Sequence, residues 1–326
     1  MMATKAIAVI ASVTAALNFW AMPSRAQEPI WDANKIQLAP KTLAPNVIAM
    51  IQNDADAKAP KGIPLATVSG IILGSKSIMV VDTMLSRRLA SQVLAEVEKL
   101  SKLPVRYALN TSFHGDHSYG NMFFPNATTI IQHEVTKQYI DANFKKDTEF
   151  MMGAFGKGRG IEEIRPRTGD ILVPKGGKLT IDLGSKIVEV LDFGFAQTGG
   201  DLFVWIPTDK VLFVGNAIVA EKPALPWLLD GHLVETTETL KKVYAFLPAE
   251  AKVVPGHGRV MEREGLRWHI DYLTAVRNEV QQAVNKGMTL EQTVAAVTLP
   301  AFQGYAIFDW VHRQINVPAA YKELKR

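Results

Sequence analysis

The stretch that most constrains this chain is Asn110-Thr111-Ser112-Phe113-His114-Gly115-Asp116-His117-Ser118-Tyr119-Gly120-Asn121, a dense polar cluster directly after the strand-like run Val105–Leu109. Open-sheet proteins place their sites at such strand ends. A second strand candidate, Val253-Val254, ends in Pro255-Gly256-His257-Gly258. A fold that joins these two strand ends gathers Asp116, His117 and His257 into one metal-binding set. The alternative is a surface turn in which histidines and aspartate bond to each other. Asp116 and His117 are neighbours, so a regular strand would point them to opposite faces. A tight loop after Gly115 is expected to turn both inward, with glycine supplying the backbone freedom.

Composition bounds the ligand chemistry. The chain contains no cysteine, which removes thiol nucleophiles, zinc fingers and iron–sulfur centres and leaves only nitrogen and oxygen donors for a metal. Two neutral imidazoles with one carboxylate suit zinc, which accepts four or five ligands and keeps a position for water. The formal net charge of the 326 residues is only +4. With no basic block and no basic–aromatic interleaving, a nucleic-acid partner is not expected. No GxGxxG or GxxxxGK(S/T) follows a strand, so dinucleotide and P-loop sites lack their signal.

The N-terminus has a three-part layout. Lys5 precedes an uncharged run, residues 6–21, which ends in Pro23-Ser24-Arg25-Ala26-Gln27. This reads as a secretory signal, 1–26, cut after Ala26. The run is short for a bilayer span, and no later stretch reads as transmembrane. The expectation is a periplasmic protein with no stable membrane insertion after processing. Residues 27–61 read as an arm or short edge element whose apolar patch is Val47–Ile51, and 62–326 as a single domain ending in helices.

Within that domain, strands are expected at Ala66–Leu73, Ser77–Val81, Val105–Leu109, Thr129–Ile131, Lys178–Ile181, Lys186–Leu191, Leu202–Ile206, Val211–Val214 and Val253-Val254. Ser86 is placed to cap a helix over Arg87–Leu100, with Leu89, Val93, Val97 and Leu100 as its apolar stripe. Further helices are expected at 134–146, 234–247, 263–284, 291–296 and 307–324. A glycine-rich passage, Met152–Gly160, reads as mobile and as bordering the site. Hairpin-spaced strands mixed with strand–helix units predict an α+β protein built as an αββα sandwich.

The motifs, taken in order, resemble the metallo-β-lactamase superfamily. Its His-x-His-x-Asp-His segment stands here as Ser112-Phe113-His114-Gly115-Asp116-His117. Gln197-Thr198-Gly199-Gly200-Asp201 and Leu212-Phe213-Val214-Gly215-Asn216 follow in place of its His-Thr-x-Gly-Asp and Leu-Phe-x-Gly-Asp segments, and Pro255-Gly256-His257-Gly258 is intact. Asp82 matches an acidic residue that closes an early strand. The resemblance implies the four-layer αββα sandwich. It also implies that the three-histidine site of two-metal members is lost, because those positions are Ser112, His114 and Gln197. The other site keeps Asp116, His117 and His257, with Asn216 replacing the bridging acid as a neutral fourth ligand. One catalytic Zn²⁺ per chain is the consequence.

Released from ligand duty, His114 becomes the candidate to handle the proton or orient the attacking water, unless it remains a weak ligand. Ser112 and Gln197 are candidates to hydrogen-bond that water or the substrate. Asp201 is expected to fix its loop or a ligand histidine. Among the other histidines, His133 reads as structural or as an interface residue, His232 as a residue of the mouth, and His269 and His312 as packed.

Within the family, the Ser-Phe-His-Gly-Asp-His segment, Gln197, Asn216 and the exported leader resemble the bacterial hydrolytic dehalogenases that act on chlorothalonil. That implies replacement of an aromatic chlorine by hydroxyl, with hydroxide drawn from water by zinc. A small apolar aromatic substrate needs an apolar slot. Pro223-Ala224-Leu225-Pro226-Trp227-Leu228-Leu229 supplies one, with Trp227 as a ring-stacking wall or else a core or dimer contact. Phe113 is a further candidate. Such a pocket suits a lactone, aryl ester or phosphotriester equally, and a non-catalytic binding protein is the third class. The resemblance also points to a homodimer, for which the helices carrying Trp268 and Trp310 offer an apolar face.

Overall fold

A computed structural model describes residues 35–63, 65–155 and 158–325. The segment read as a secretory signal lies outside the described residues. Among those described, β1 (Leu38–Ala44), β2 (Val47–Gln52), β3 (Ser69–Leu73), β4 (Ile78–Val81), β5 (Val105–Leu109), β6 (Thr129–His133) and β7 (Ile171–Val173) line up in that order as one sheet. The second sheet contains β8 (Lys178–Asp182), β9 (Ile187–Leu191), β10 (Phe203–Ile206), β11 (Val211–Gly215), β12 (Lys252–Pro255) and β13 (Met261–Glu262), in the spatial order β13-β12-β11-β10-β9-β8. The helices are α1 (Ala55–Lys58), α2 (Arg87–Leu100), α3 (Gly115–Ser118), α4 (Glu134–Phe155), α5 (Leu233–Phe246), α6 (Gly265–Asn285), α7 (Leu290–Ala296) and α8 (Val317–Leu324).

Alternation inside apolar strands builds the layers. Along β2 every residue is buried. Val47, Ala49 and Ile51 face the second sheet, where they meet the cluster of Ile72, Val81, Val190, Val204 and Phe213. Ile48 and Met50 face outward, into the cluster that Leu89, Ala90, Val93 and Val97 of α2 complete. Successive strand side chains point to opposite faces, so one run serves two layers. On the outer side of the second sheet, α5, α6 and α8 bury Leu240, Val243, Leu273, Val276 and Val317 with Phe203 and Leu212. Each such fully buried side chain contributes roughly 1.5–3 kcal/mol. The result is the α+β, four-layer αββα sandwich that the sequence predicts.

Several expectations are corrected. The stretch read as an arm or short edge element forms two strands over residues 38–52: β1 is an edge strand, but β2 lies inside the sheet, because it pairs antiparallel with β3 at Val47↔Ile72 and Ile48↔Ile71. Its apolar run is long enough to fill both faces of an inner strand. Leu100 does not extend the α2 stripe and is 42% exposed, since the chain turns extended at Ser101. Ser86 does stand before α2, but its hydroxyl makes no capping bond and is buried without a partner. The helix begun at Glu134 runs on to Phe155, into the glycine-rich passage. The short strands β7 and β13 had no signal of their own in the sequence.

Candidate functional site

Both sheets end at one edge, and a crossing segment ties them together there. Thr67 forms an isolated antiparallel bridge with His257, and Val68 N donates to Gly256 O at 2.8 Å. Residues just before β3, in the first sheet, therefore hold the end of β12, in the second. The loop after β11 joins from the other side: Gly256 N and His257 N donate to Ile218 O and Val219 O at 2.9 and 2.8 Å. Gly256 is required by close approach, because a Cβ on it would lie 2.0 Å from Asn216 Oδ1.

The first sheet supplies Asp116 and His117. They sit in α3, a single helical turn, and not in a loop opened by glycine; Gly115 is absent from the positive-φ residues. What Gly115 provides is room, since a Cβ there would meet the Tyr119 ring at 2.7 Å. The turn is held from below by Asn110, whose Nδ2 donates to His117 O at 2.8 Å, and by Thr83 N, which donates to the same carbonyl at 2.9 Å.

Asp116, His117 and His257 converge so that one ligand atom from each lies within 4.8 Å of the other two. Asp116 Oδ2 is 3.3 Å from His117 Nε2 and 3.5 Å from His257 Nε2. The far nitrogen of each imidazole is committed elsewhere. His117 Nδ1 lies 2.7 Å from Asp82 Oδ2, and that carboxylate also accepts from Thr111 N at 2.7 Å and Thr111 Oγ1 at 2.8 Å. His257 Nδ1 donates to Leu65 O at 2.8 Å. Such bonds keep the hydrogen on Nδ1, so that Nε2 is the nitrogen each ring offers to a cation, which at His117 takes the place of a proton. Thr67 Oγ1 donates to Asp116 Oδ2 at 2.5 Å, on the same oxygen that faces the imidazoles. His117 Nε2 and Asn216 Oδ1 are buried with no hydrogen-bond partner. Buried polar atoms are seldom left unpaired, so a divalent cation between them fits this donor set.

The charges follow from the same geometry. Burial disfavours a charged His117, but the Asp116 and Asp82 carboxylates outweigh it and push its pKa up to about 9. At His114 burial wins over the pull of Asp116, and the pKa falls to about 4. His257 is pulled down by burial against Asp116. Burial alone would raise Asp116, yet the three surrounding imidazoles and Thr67 hold it below the usual carboxylate range.

The remaining sequence candidates are placed as follows. Asn216 Nδ2 donates to His114 Nδ1 at 3.2 Å, so the amide that aims its oxygen at the cluster also sets the His114 ring. Ser112 is fully buried, and its hydroxyl accepts from His114 N at 3.3 Å. Gln197 is buried with neither amide atom partnered. Its loop is fixed by Asp201, which accepts from Ala196 N, Gln197 N and Thr198 N at 3.1, 3.0 and 2.7 Å. Phe113 stacks on Tyr139 at 3.7 Å and meets His114 edge-on at 5.1 Å. Trp227 is half-buried, with Trp310 edge-on at 5.2 Å and the Tyr305 hydroxyl beside it. Of the other histidines, His133 is buried opposite Asp192, and His232 is exposed, stacked on Phe195 and paired with Glu235. His269 and His312 are buried in the helical layer. The residues that sequence reasoning missed are Leu65, Thr67 and Thr111. A backbone carbonyl and two threonines have no chemical signature along the chain, and only their spatial approach gives them a role.

Comparison with known proteins agrees with this geometry. The sequence model of the metallo-beta-lactamase superfamily matches residues 62–257. A linear primary-alkylsulfatase from a Pseudomonas species is 24% identical over 270 residues, 71% of this chain and 49% of that protein. The chain thus spans about half the length of that relative. Among solved structures, a metallo-beta-lactamase from Pontibacter korlensis superposes with a TM-score of 0.56 at 18% identity, covering 73% of this chain and 99% of the other. An inverting secondary alkylsulfatase from a Pseudomonas species gives 0.70 at 16% identity, covering 88% and 50%. At such identities these likenesses speak for the fold.

Proposed function

The chain belongs to the metallo-beta-lactamase superfamily, and from that premise we propose that it is a hydrolase using a single zinc ion, held by Asp116, His117, His257 and Asn216, to replace chlorine by hydroxyl on an electron-poor aromatic ring of the chlorothalonil type. The observation that carries the one-metal reading is the Asn216–His114 bond of 3.2 Å. It occupies His114 with a neutral amide, while Ser112 and Gln197 stand where two further histidines would be needed. A carboxamide supplies no negative charge to hold two cations close together. When bound, zinc lowers the pKa of water to about 7, making hydroxide available at neutral pH.

The protein residues then orient and discriminate. With a pKa of about 4, His114 is neutral at pH 7. Its Nδ1 accepts from Asn216, so the hydrogen sits on Nε2, and His114 is a hydrogen-bond donor toward water or substrate rather than a base. The oxygen of water, having given up one proton to solvent, forms the new C–O bond at the ring carbon; the ring carries the negative charge, and chloride leaves with the bonding pair as the C–Cl bond breaks. An activated ring needs orientation and an apolar slot more than an acid catalyst. We assign the apolar walls to Phe113, which meets His114 edge-on, and to Trp227. Arg259, two residues beyond His257, is neutralised by Glu221 at 2.6 Å, and so offers no free charge to an anionic substrate.

A second reading is hydrolysis of a lactone, aryl ester, phosphotriester or β-lactam; its β-lactam member is supported by a relative named as a β-lactamase, and a relative named as an alkylsulfatase adds sulfate esters to the substrates worth testing. Periplasmic export and a homodimer remain part of the proposal. The deciding experiment loads the purified protein with zinc, counts metal per chain, and measures chloride release from chlorothalonil beside cleavage of each alternative substrate and an alkyl sulfate. One zinc with chloride release is expected. Two ions within bridging distance would overturn the one-metal reading. Cleavage of an ester, lactone, phosphotriester, β-lactam or sulfate without chloride release would replace the substrate.

A further inference from the structure

The loop that carries Trp227 is gripped by a side chain far along the sequence. Asn316 is fully buried. Its Oδ1 accepts from Leu228 N at 2.9 Å, and its Nδ2 donates to Pro226 O at 2.7 Å. The amide thus pairs with the backbone immediately before and immediately after Trp227, as a neighbouring strand would. Pro226 and Leu228 are buried, whereas Trp227 between them is only partly so, its ring packed against the helical-layer cluster with Nε1 enclosed. Fixing the two flanking peptides fixes the direction in which the indole leaves the backbone.

Asn316 is itself held by a fully determined chain of hydrogen bonds. His312 Nε2 donates to Val297 O at 2.8 Å, which leaves Nδ1 as an acceptor for the Tyr272 hydroxyl at 2.8 Å. The Tyr272 oxygen is then free to accept from Asn316 Nδ2 at 2.9 Å. No member of the chain can rotate or flip without leaving a buried polar group unpaired. Asn316 and His312 belong to a π-helical segment, Asp309–Asn316, just before α8. Pro318 has no N–H to return to Gln314 O, so a regular α-helix cannot run through this point. Short π turns of this kind occur often at functional sites. A second grip, Trp268 Nε1 on Ala224 O at 3.0 Å, holds the start of the same loop. The loop in turn begins at Asn216 and runs hydrogen-bonded beside His257.

We propose that Asn316, braced by Tyr272 and His312, is a positioning residue that sets Trp227 as the apolar wall of the site and thereby determines affinity for an aromatic substrate. This rests on the reading of Trp227 as a substrate contact. Asn316 touches no reacting atom, so its loss should act on binding and leave the metal in place.

The test compares zinc-loaded wild type with Asn316→Leu, Tyr272→Phe, Trp227→Phe and the Asn316→Leu/Trp227→Phe double variant. In Asn316→Leu the Leu228 amide should exchange with solvent at least about tenfold faster, the factor that one lost hydrogen bond is worth, while Val204 in β10 is unchanged. The near-ultraviolet circular dichroism of the Trp227–Trp310 pair should shift. KM for chloride release from chlorothalonil should rise about tenfold with kcat within about twofold and zinc content constant. The double variant should be no worse than Trp227→Phe alone. Tyr272→Phe should show the same changes in smaller measure, and it carries the test if Asn316→Leu does not fold. Unchanged Leu228 exchange and KM in both variants would overturn the proposal. So would a KM effect that simply adds to that of Trp227→Phe, since it would not pass through the indole. If wild type releases no chloride at all, the dehalogenation reading fails. Exchange and dichroism, measured without substrate, then judge the grip, and KM is compared on whichever ester or lactone is cleaved.

Discussion

Asp82→Asn isolates the part that the protein plays in binding the metal. Asp82 touches no metal position; it accepts from Thr111 N, Thr111 Oγ1 and His117 Nδ1, all at 2.7–2.8 Å. Asparagine keeps the size and tolerates the φ of +57° at this position, where alanine would be strained. Two arrangements of the amide are available, and both cost. With its oxygen toward His117 and the Thr111 hydroxyl, the amide nitrogen faces Thr111 N, donor against donor. With the amide reversed, its N–H faces His117 Nδ1 and selects the tautomer with hydrogen on Nε2, the nitrogen aimed at Asp116. Loss of such an outer partner weakens metal binding about 10–100-fold, or about 1.4–2.8 kcal/mol. Removal of a buried negative charge near the cation favours the upper half of that range. Zinc competition against a chromophoric chelator at neutral pH should show the dissociation constant raised about thirtyfold. The extra stability conferred by saturating zinc should fall by about 2 kcal/mol. A folded variant whose zinc affinity stays within about threefold of wild type would refute the claim that Asp82 sets the His117 tautomer.

The other expectations can be checked on the same protein. Asp116→Ala and His257→Ala should lose zinc and activity together, whereas His114→Ala should retain zinc and lose about 10²-fold in rate; an empty site in His114→Ala, found by metal analysis, would make His114 a ligand. His269 offers a pH test away from the site. It is buried with neither ring nitrogen bonded, and burial pulls its pKa down to about 3. The unfolded chain therefore binds a proton there below about pH 6.5 that the native chain refuses, and stability is lost as pH falls through that window. The unfolded imidazole is half protonated at about pH 6.5 and the slope rises toward about 1.36 kcal/mol per pH unit below it, so wild type should lose about 1.6 kcal/mol more than His269→Leu between pH 6.5 and 5. Parallel urea midpoints for the two proteins over that range would count against it.

Much of the protein was legible in its residues. The alternation of apolar side chains located β3 to β6, β8 to β12 and α2, because burial period is a local property of the chain. Asp116, His117 and His257 were legible because histidine beside carboxylate at strand ends is chemically distinctive, and the absence of cysteine confined the ligands to nitrogen and oxygen. The family motifs then marked Asn216 and Gln197 as departures. What sequence could not decide was everything that depends on approach between distant segments. Val47–Ile51 looks the same as a patch on an arm or as an inner strand until β3 is beside it. Gly115 reads as a hinge, yet it serves as space for Tyr119. Leu65, Thr67 and Thr111 acquire a role only because the segment before β3 crosses between the sheets. Likewise Asn316 becomes a partner for Pro226 and Leu228 only once the C-terminal helices fold back over the loop. The sequence alone determined which atoms are available to hold a metal. The tertiary structure decided which groups orient them, because a hydrogen bond depends on distance and angle in space, and spacing along the chain specifies neither.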